Sequence, residues 1–300
     1  MNSSSPSVRE RRLAAELRRL RIAAELTGQD VAAATGWSAS KVSRIENGRI
    51  GIAAGDLDRL IELYGLPPEP ATALRRLAPA GPAHGWWEAW ADSLSSGYAA
   101  LLRLEAGSTA LRSYCAVLPH PLLMTPDYVR QVVRSTWQRP STAEVERRVE
   151  VCRRRQAVLD RWTEPGPLQL SVVLDEAVLR RAARSAGAGQ APRAGGRPDD
   201  DRIRREQLAH LIAAADRPGI DIRVLPFAAG IPPVSAGSFS LLESAATGAP
   251  DVVYLENKTR ISFVDADTEV DRYTRDHRLL TEMALSRADS RDLLAAAVAS

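Results

Sequence analysis

Apolar residues recur at helical spacing over the first quarter of the chain. Leu13, Leu17, Leu20 and Ala24 fall at i, i+4, i+7 and i+11, which is one face of an amphipathic helix. Two short helical stretches follow, parted by Gly36. Leu57, Leu60, Ile61 and Leu63 then mark another helix that ends before Pro67-Pro68. Beyond Trp86 the order is helices first. Ser141-x-x-Glu144 is a capping-box pattern, and it opens an arginine-rich helix running to about Trp162, where Pro165-Gly166-Pro167 stops it. Runs with strand character follow at residues 168–174, 220–225, 238–242, 252–255 and 261–264. Helices are expected at about 176–184 and 202–215, with two more closing the chain. Strands interleaved with helices predict a mixed sheet. The fold class is therefore multidomain: an all-α N-terminal domain followed by a mixed α+β C-terminal domain.

Breaks in composition set the boundaries. Residues 78–85 (APAGPAHG) read as a linker between a domain at 8–77 and one at 86–300. Residues 185–201 (SAGAGQAPRAGGRPDDD) hold almost no large apolar side chain, so they are expected to form a mobile loop, and the first seven residues to be disordered. Hydrophobic residues at 45% and charged residues at 26% match an ordinary globular chain and exclude wholesale disorder.

Net charge says little by itself. The chain carries 40 Lys+Arg against 37 Asp+Glu, and its only lysines are Lys41 and Lys258. A composition so rich in arginine and alanine fits a GC-rich genome, so the position of the charge matters more than its sum. No run approaches the ~18 apolar residues that span a bilayer, so no membrane association is expected. The opening MNSSSPSVRERR lacks the apolar stretch of a secretory signal. Cys115 and Cys152 make neither a disulfide framework nor a metal knuckle, and read as buried or idle thiols in a reducing compartment. The expected location is cytoplasmic, associated with the nucleoid.

The stretch at 27–48, TGQDVAAATGWSASKVSRIENG, carries the chemistry. Thr27 is a plausible N-cap with Asp30 in the first turn, and Gly36 supplies a turn where φ > 0 is needed. Ser38 is the next N-cap. Val42 and Ile45 share the buried face of the second helix, and Asn47-Gly48 ends it. Glu46 reads as an internal cap or ion pair. Ala39, Ser40, Lys41, Ser43 and Arg44 then lie on the outer faces, where small residues let a helix approach base edges in a DNA major groove. Residues 1–50 hold nine Arg/Lys against five Glu/Asp, an excess of the right sign.

These residues resemble the Cro/CI-type (Xre) helix-turn-helix family, whose second helix ends in a serine-arginine-isoleucine-glutamate-asparagine-glycine run, here residues 43–48. Gly28 stands where that family often has a glutamine that braces a phosphate, and Gln29 is the neighbouring substitute. The resemblance implies binding to double-stranded DNA. The candidate contacts are Thr27, Gln29, Ser38, Ala39, Ser40, Lys41, Ser43, Arg44 and Asn47, with Lys41 assigned to phosphate. One helix-turn-helix reaches only a few base pairs, so a homodimer is expected.

The segment after Trp86 is similar to the C-terminal domain of actinobacterial WhiJ-type, antitoxin-like regulators. Residues 155–159 (RQAVL), 174–179 (LDEAVL), Gln207-Leu208, 224–226 (VLP), 237–239 (GSF) and 253–256 (VYLE) carry that likeness in order. Residues 118–125 (LPHPLLMT) depart from the family's proline-glycine-leucine-leucine-glutamine-threonine run. The resemblance implies a transcriptional regulator whose C-terminal domain senses a small cognate protein encoded nearby, or a ligand. Its alternative is an antitoxin-like module that mainly holds that protein.

Other residues have plainer readings. His84, His120, His210 and His277 lack metal-ligand spacing and read as surface or capped histidines. Trp86 and Trp90, at i and i+4, read as core of a helix. Asp175-Glu176 caps the helix after its strand. Arg147, Arg148, Arg153, Arg154 and Arg155 form a solvated face paired with Glu144, Glu146 and Glu150. No catalytic fingerprint is present, so no enzyme activity, cofactor or metal is expected.

Overall fold

The computed structural model describes residues 8–47, 50–77, 86–90, 94–162, 166–181, 198–234, 237–244 and 251–299. The expected linker 78–85, the first seven residues, Gly48 and positions 185–197 of the expected loop lie outside these. Positions 198–201 of that loop open a helix instead.

Five helices come first: α1 (Val8–Ala23), α2 (Gly28–Thr35), α3 (Ala39–Glu46), α4 (Ala54–Leu63) and α5 (Pro68–Leu77). Their apolar stripes meet in one cluster, with Leu13, Leu17, Val31, Val42, Ile45 and Leu57 all buried. Gly36 ends α2 at φ 73, the left-handed conformation that glycine adopts without a Cβ penalty.

Next come a 3-10 turn at Trp86–Trp90, then α6 (Ser96–Ala106), β1 (Ser108–Cys115), α7 (Pro126–Thr136) and α8 (Thr142–Gln156). The chain continues through β2 (Gln169–Asp175), α9 (Glu176–Arg180), α10 (Pro198–Ala215), β3 (Ile220–Leu225), β4 (Phe239–Ser244), β5 (Val252–Glu256) and β6 (Ile261–Val264). It ends with α11 (Asp267–Met283) and α12 (Arg287–Ala299). The strands form one six-stranded sheet in the order β3-β2-β1-β4-β5-β6. β1, β2 and β3 are parallel, joined by helical crossovers, while β5 and β6 form an antiparallel hairpin. An all-α N-terminal region thus precedes a domain with a mixed sheet, as its patterning predicts.

By contacts the chain divides into two compact units, Met1–Thr109 with Leu241–Arg272, and Ala110–Ser240 with Tyr273–Ser300. In the second, Leu111, Leu170, Val172, Leu174, Ile222 and Val224 are buried on the strands. Val129, Val133, Val145 and Val149 pack α7 against α8.

Two expectations need correction. Helices do not come first without interruption, because β1 stands among them and is central to the sheet. Its sequence STALRSYC hides Ser113, whose buried hydroxyl donates to the Phe239 carbonyl at 2.8 Å and lies 3.0 Å from the Ser240 hydroxyl. A polar residue on the inner face breaks the apolar alternation that marks a strand. Residues 86–90 form a 3-10 turn instead of an α-helix. There Trp87 is buried, Trp86 meets it edge-on at 6.1 Å, and Trp86 and Trp90 stay partly exposed.

Candidate nucleic-acid interface

Helix α3 rests on α1 and α2 through Val42 and Ile45, which are 4% and 3% exposed. That anchoring turns Ser38, Ala39, Ser40, Ser43, Arg44 and Asn47 to solvent, all exposed. Arg44 reaches back to the Ser40 carbonyl at 3.3 Å, and the Asn47 amide donates to the Ser43 carbonyl at 2.7 Å. These contacts hold the side chains along the helix without any acidic partner. The outer face therefore presents small side chains, hydroxyls and one guanidinium.

The caps differ in a way that bears on anions. At α2 the Thr27 hydroxyl accepts from the Asp30 N–H at 3.2 Å and donates to the Asp30 carboxylate at 2.6 Å. The Thr27 hydroxyl, and the Thr27 N–H that also donates to that carboxylate at 2.7 Å, hold the Asp30 carboxyl below its usual range. A carboxylate thus already occupies the positive end of α2. At α3 the Ser38 hydroxyl accepts from the Lys41 N–H at 3.2 Å, and position N3 is a lysine, so no carboxylate reaches back. This helix end keeps its N–H groups and dipole available to a phosphate.

Lys41 is more committed than its spacing implies. Its ammonium sits 4.0 Å above the Trp37 ring and 2.7 Å from the Asp56 carboxylate. The Asp56 partner is not legible locally, because it belongs to α4. Gln29 is exposed at the start of α2, next to a half-buried Gly28.

Behind this face, Glu46 forms the expected ion pair. Arg21 of α1 meets it through two bonds, at 2.7 and 3.0 Å, with both side chains largely buried, and also donates to the Leu26 carbonyl at 2.7 Å. Burial, then the Glu46 charge, push the neighbouring Tyr64 phenol up to about 12. The pair locks α1 to the end of α3, so α3 cannot rotate without breaking it.

Elsewhere the readings divide. Asp175 does cap α9, accepting from the Ala177 N–H at 2.8 Å, and the buried Glu176 accepts from the Phe227 N–H at 2.9 Å. On α8, Glu150 takes both Arg153 and Arg154, Glu146 takes Arg130, and Arg148 stacks on Trp137 at 4.4 Å. Arg155 is not on the solvated face: it is 3% exposed. His120 is buried, and its Nδ1 accepts from the Leu122 N–H at 3.3 Å, capping a 3-10 turn. His277 does neither of the expected things. It is buried beside Phe239 and Tyr273, and burial drives its pKa down to about 4. His84 lies outside the described residues. Among the described residues no group of three His, Cys, Asp or Glu is placed to hold a metal ion, and no helix is long and apolar enough to cross a membrane.

Short helices joined through a left-handed glycine, the second seated on α1 with an outward polar face, define a helix-turn-helix domain. Residues 12–74 match the family model of that name, described as a helix-turn-helix domain. Residues 98–296 match a second model, described as a domain of unknown function (DUF5753), and the chain belongs to that family. A search of curated proteins and one of solved structures returned no match.

Proposed function

We propose that the chain is a sequence-specific transcriptional regulator of the Cro/CI (Xre) type that binds duplex DNA as a homodimer. The observation that carries this is the open N-terminus of α3, with Ser38, Ala39, Ser40 and Arg44 exposed together and free of acidic partners. Arg44 reads base edges, and Ser38 and Ser43 supply hydroxyls to base edges or phosphates. Lys41 exchanges Asp56 for a phosphate when DNA arrives. Gln29 and Asn47 flank the face. Thr27 contributes through its main chain and cap, since its hydroxyl is held by Asp30. The C-terminal domain carries no catalysis in this reading and senses a small partner protein.

One observation favours that partner. β1, β2 and β3 are parallel with Cys115 beside Leu174 and Asp175 beside Leu225, so their carboxyl ends lie side by side. Just past those ends stand the exposed Val117, Phe227 and Ile231, the last 92% exposed. Carboxyl ends of parallel strands commonly carry binding sites, and exposed aromatic and aliphatic groups there suit a protein surface. The antitoxin-like reading rests on the same residues.

Pull-down of chromosomal DNA with the tagged full chain, followed by sequencing, tests the regulator reading. One operator motif should emerge. On it Arg44→Ala should cost about 1–3 kcal/mol, whereas Lys41→Ala should weaken all sequences alike. Recovery of a small acidic protein with no enriched DNA would give precedence to the partner-holding reading. Unchanged affinity in both variants would remove α3 as the reading head.

A further inference from the structure

The two edges of the sheet end differently. On β3 the outward main chain of Val224 is fully used: its N–H donates to the Ser290 hydroxyl at 2.9 Å, and its carbonyl accepts from the Leu285 N–H at 2.9 Å. The Ile220 carbonyl takes a 2.9 Å bond from Arg287. The segment leading into α12 therefore closes that edge, as folds must do to stop a sheet from growing.

Among the described residues β6 has no such cover. The Asn257 N–H donates to the Arg260 carbonyl at 3.0 Å, which makes 257 and 260 a hydrogen-bonded pair of the β5–β6 hairpin. Antiparallel pairs alternate, so Ser262 and Val264 bond to β5. Ile261 and Phe263 then turn their N–H and carbonyl groups outward, and no described residue meets them. All four β6 side chains are half-buried. Charge is split across the two ends of this strand: the exposed Lys258 and Arg260 precede it and the exposed Asp267 follows it, while Asp265 is buried.

We infer that β6 is the self-association edge, where a second copy of this chain pairs antiparallel to the first. This rests on the homodimer reading and names its interface. Outward groups can meet outward groups when Ile261 of one copy faces Phe263 of the other, which sets two hydrogen-bonded pairs about a two-fold axis through Ser262. Antiparallel pairing also lays the basic end of each copy beside the acidic end of the other. Parallel pairing would set like charges together. Because the β3 edge is closed, the assembly stops at two copies and cannot run on as a filament.

Ser262 provides the test, since its side chain meets its own copy across the axis and is half-buried in the single chain. Full-length Ser262→Asp and Ser262→Lys would each be studied by sedimentation equilibrium, alone and mixed. Like charges placed opposite each other should weaken self-association about three- to tenfold in either variant. An equimolar mixture should recover parental affinity through dimers holding one of each, counted by native mass spectrometry. Recovery on mixing also shows that both variants are folded. If both variants dimerise as tightly as the parent, or the mixture recovers nothing, the β6 interface is wrong while the homodimer stands. A parent that stays monomeric, free and on operator DNA, overturns both readings.

Discussion

Helices α3 and α8 begin alike and differ in what fills their first turn. Each has a serine N-cap, Ser38 or Ser141, and each carries arginine. At the third helical position α8 has Glu144, which accepts from the Ser141 N–H at 2.8 Å and its hydroxyl at 2.7 Å. α3 has Lys41 there. The α8 end is therefore filled by its own carboxylate, and the α3 end is left open to an anion. The arginines follow suit: Arg153 and Arg154 are held by Glu150, while Arg44 bonds only a backbone carbonyl. Counting arginines would rank α8 as the DNA-binding element. Asking which of them a carboxylate already holds reverses that ranking.

The regions also differ in how they bury ionisable groups, which supplies the largest expected effects. The N-terminal bundle hides a charged pair, Arg21–Glu46, at 15% and 9% side-chain exposure. Glu46→Ala strands a guanidinium there and should cost about 3–5 kcal/mol, read as lost hydrogen-exchange protection in α1 and α3. Glu150→Ala on α8 breaks exposed pairs and should leave stability unchanged. Equal losses from both would end the distinction between an internal lock and surface pairing.

The sheet domain instead keeps His277 neutral. Its pKa is depressed to about 4 from an ordinary 6.5, so the fold favours the uncharged ring. That stabilisation is complete above pH 6.5 and is lost as pH falls through the window toward 4. It amounts to something on the order of 3 kcal/mol for the whole window. Chemical denaturation at pH 7 and pH 4.5 should show the loss in the parent and a smaller one in His277→Phe. A parent whose stability is flat between those values would show that His277 titrates normally.

How much of this was legible depends on the range of the interactions. The caps at Thr27, Ser38 and Ser141, the turn at Gly36 and the inward Val31, Val42 and Ile45 depend on neighbours within four residues, and the chain spells them out. The later strands β2, β3, β5 and β6, which carry Val and Ile, are equally plain. β1 escapes because its inner face holds Ser113, whose hydroxyl bonds to Phe239 and Ser240 from a strand far along the chain. Lys41 reads locally as a free cation, and only folding brings Asp56 to it. His277 and Arg155 look like surface groups for the same reason: periodicity reports which face is apolar, not which polar group that face encloses.

The smallest effects make the sharpest form of the comparison. Ser38→Ala and Ser141→Ala each remove an N-cap hydroxyl, and each should cost about 1 kcal/mol of stability. Their effects on DNA should part. The Ser141 hydroxyl proton is already given to Glu144, whereas the Ser38 hydroxyl only accepts, from the Lys41 N–H, and keeps its proton to donate to a phosphate oxygen. Ser38→Ala should therefore weaken operator binding beyond its stability cost, by a further factor of about ten for one charge-assisted hydrogen bond. Ser141→Ala should leave binding untouched. Thermal unfolding and operator titration on the two proteins, at one salt concentration, separate the outcomes. If both lose stability and neither loses affinity, the open end of α3 is a cap like the others, and recognition must rest on Arg44 and the small residues beside it.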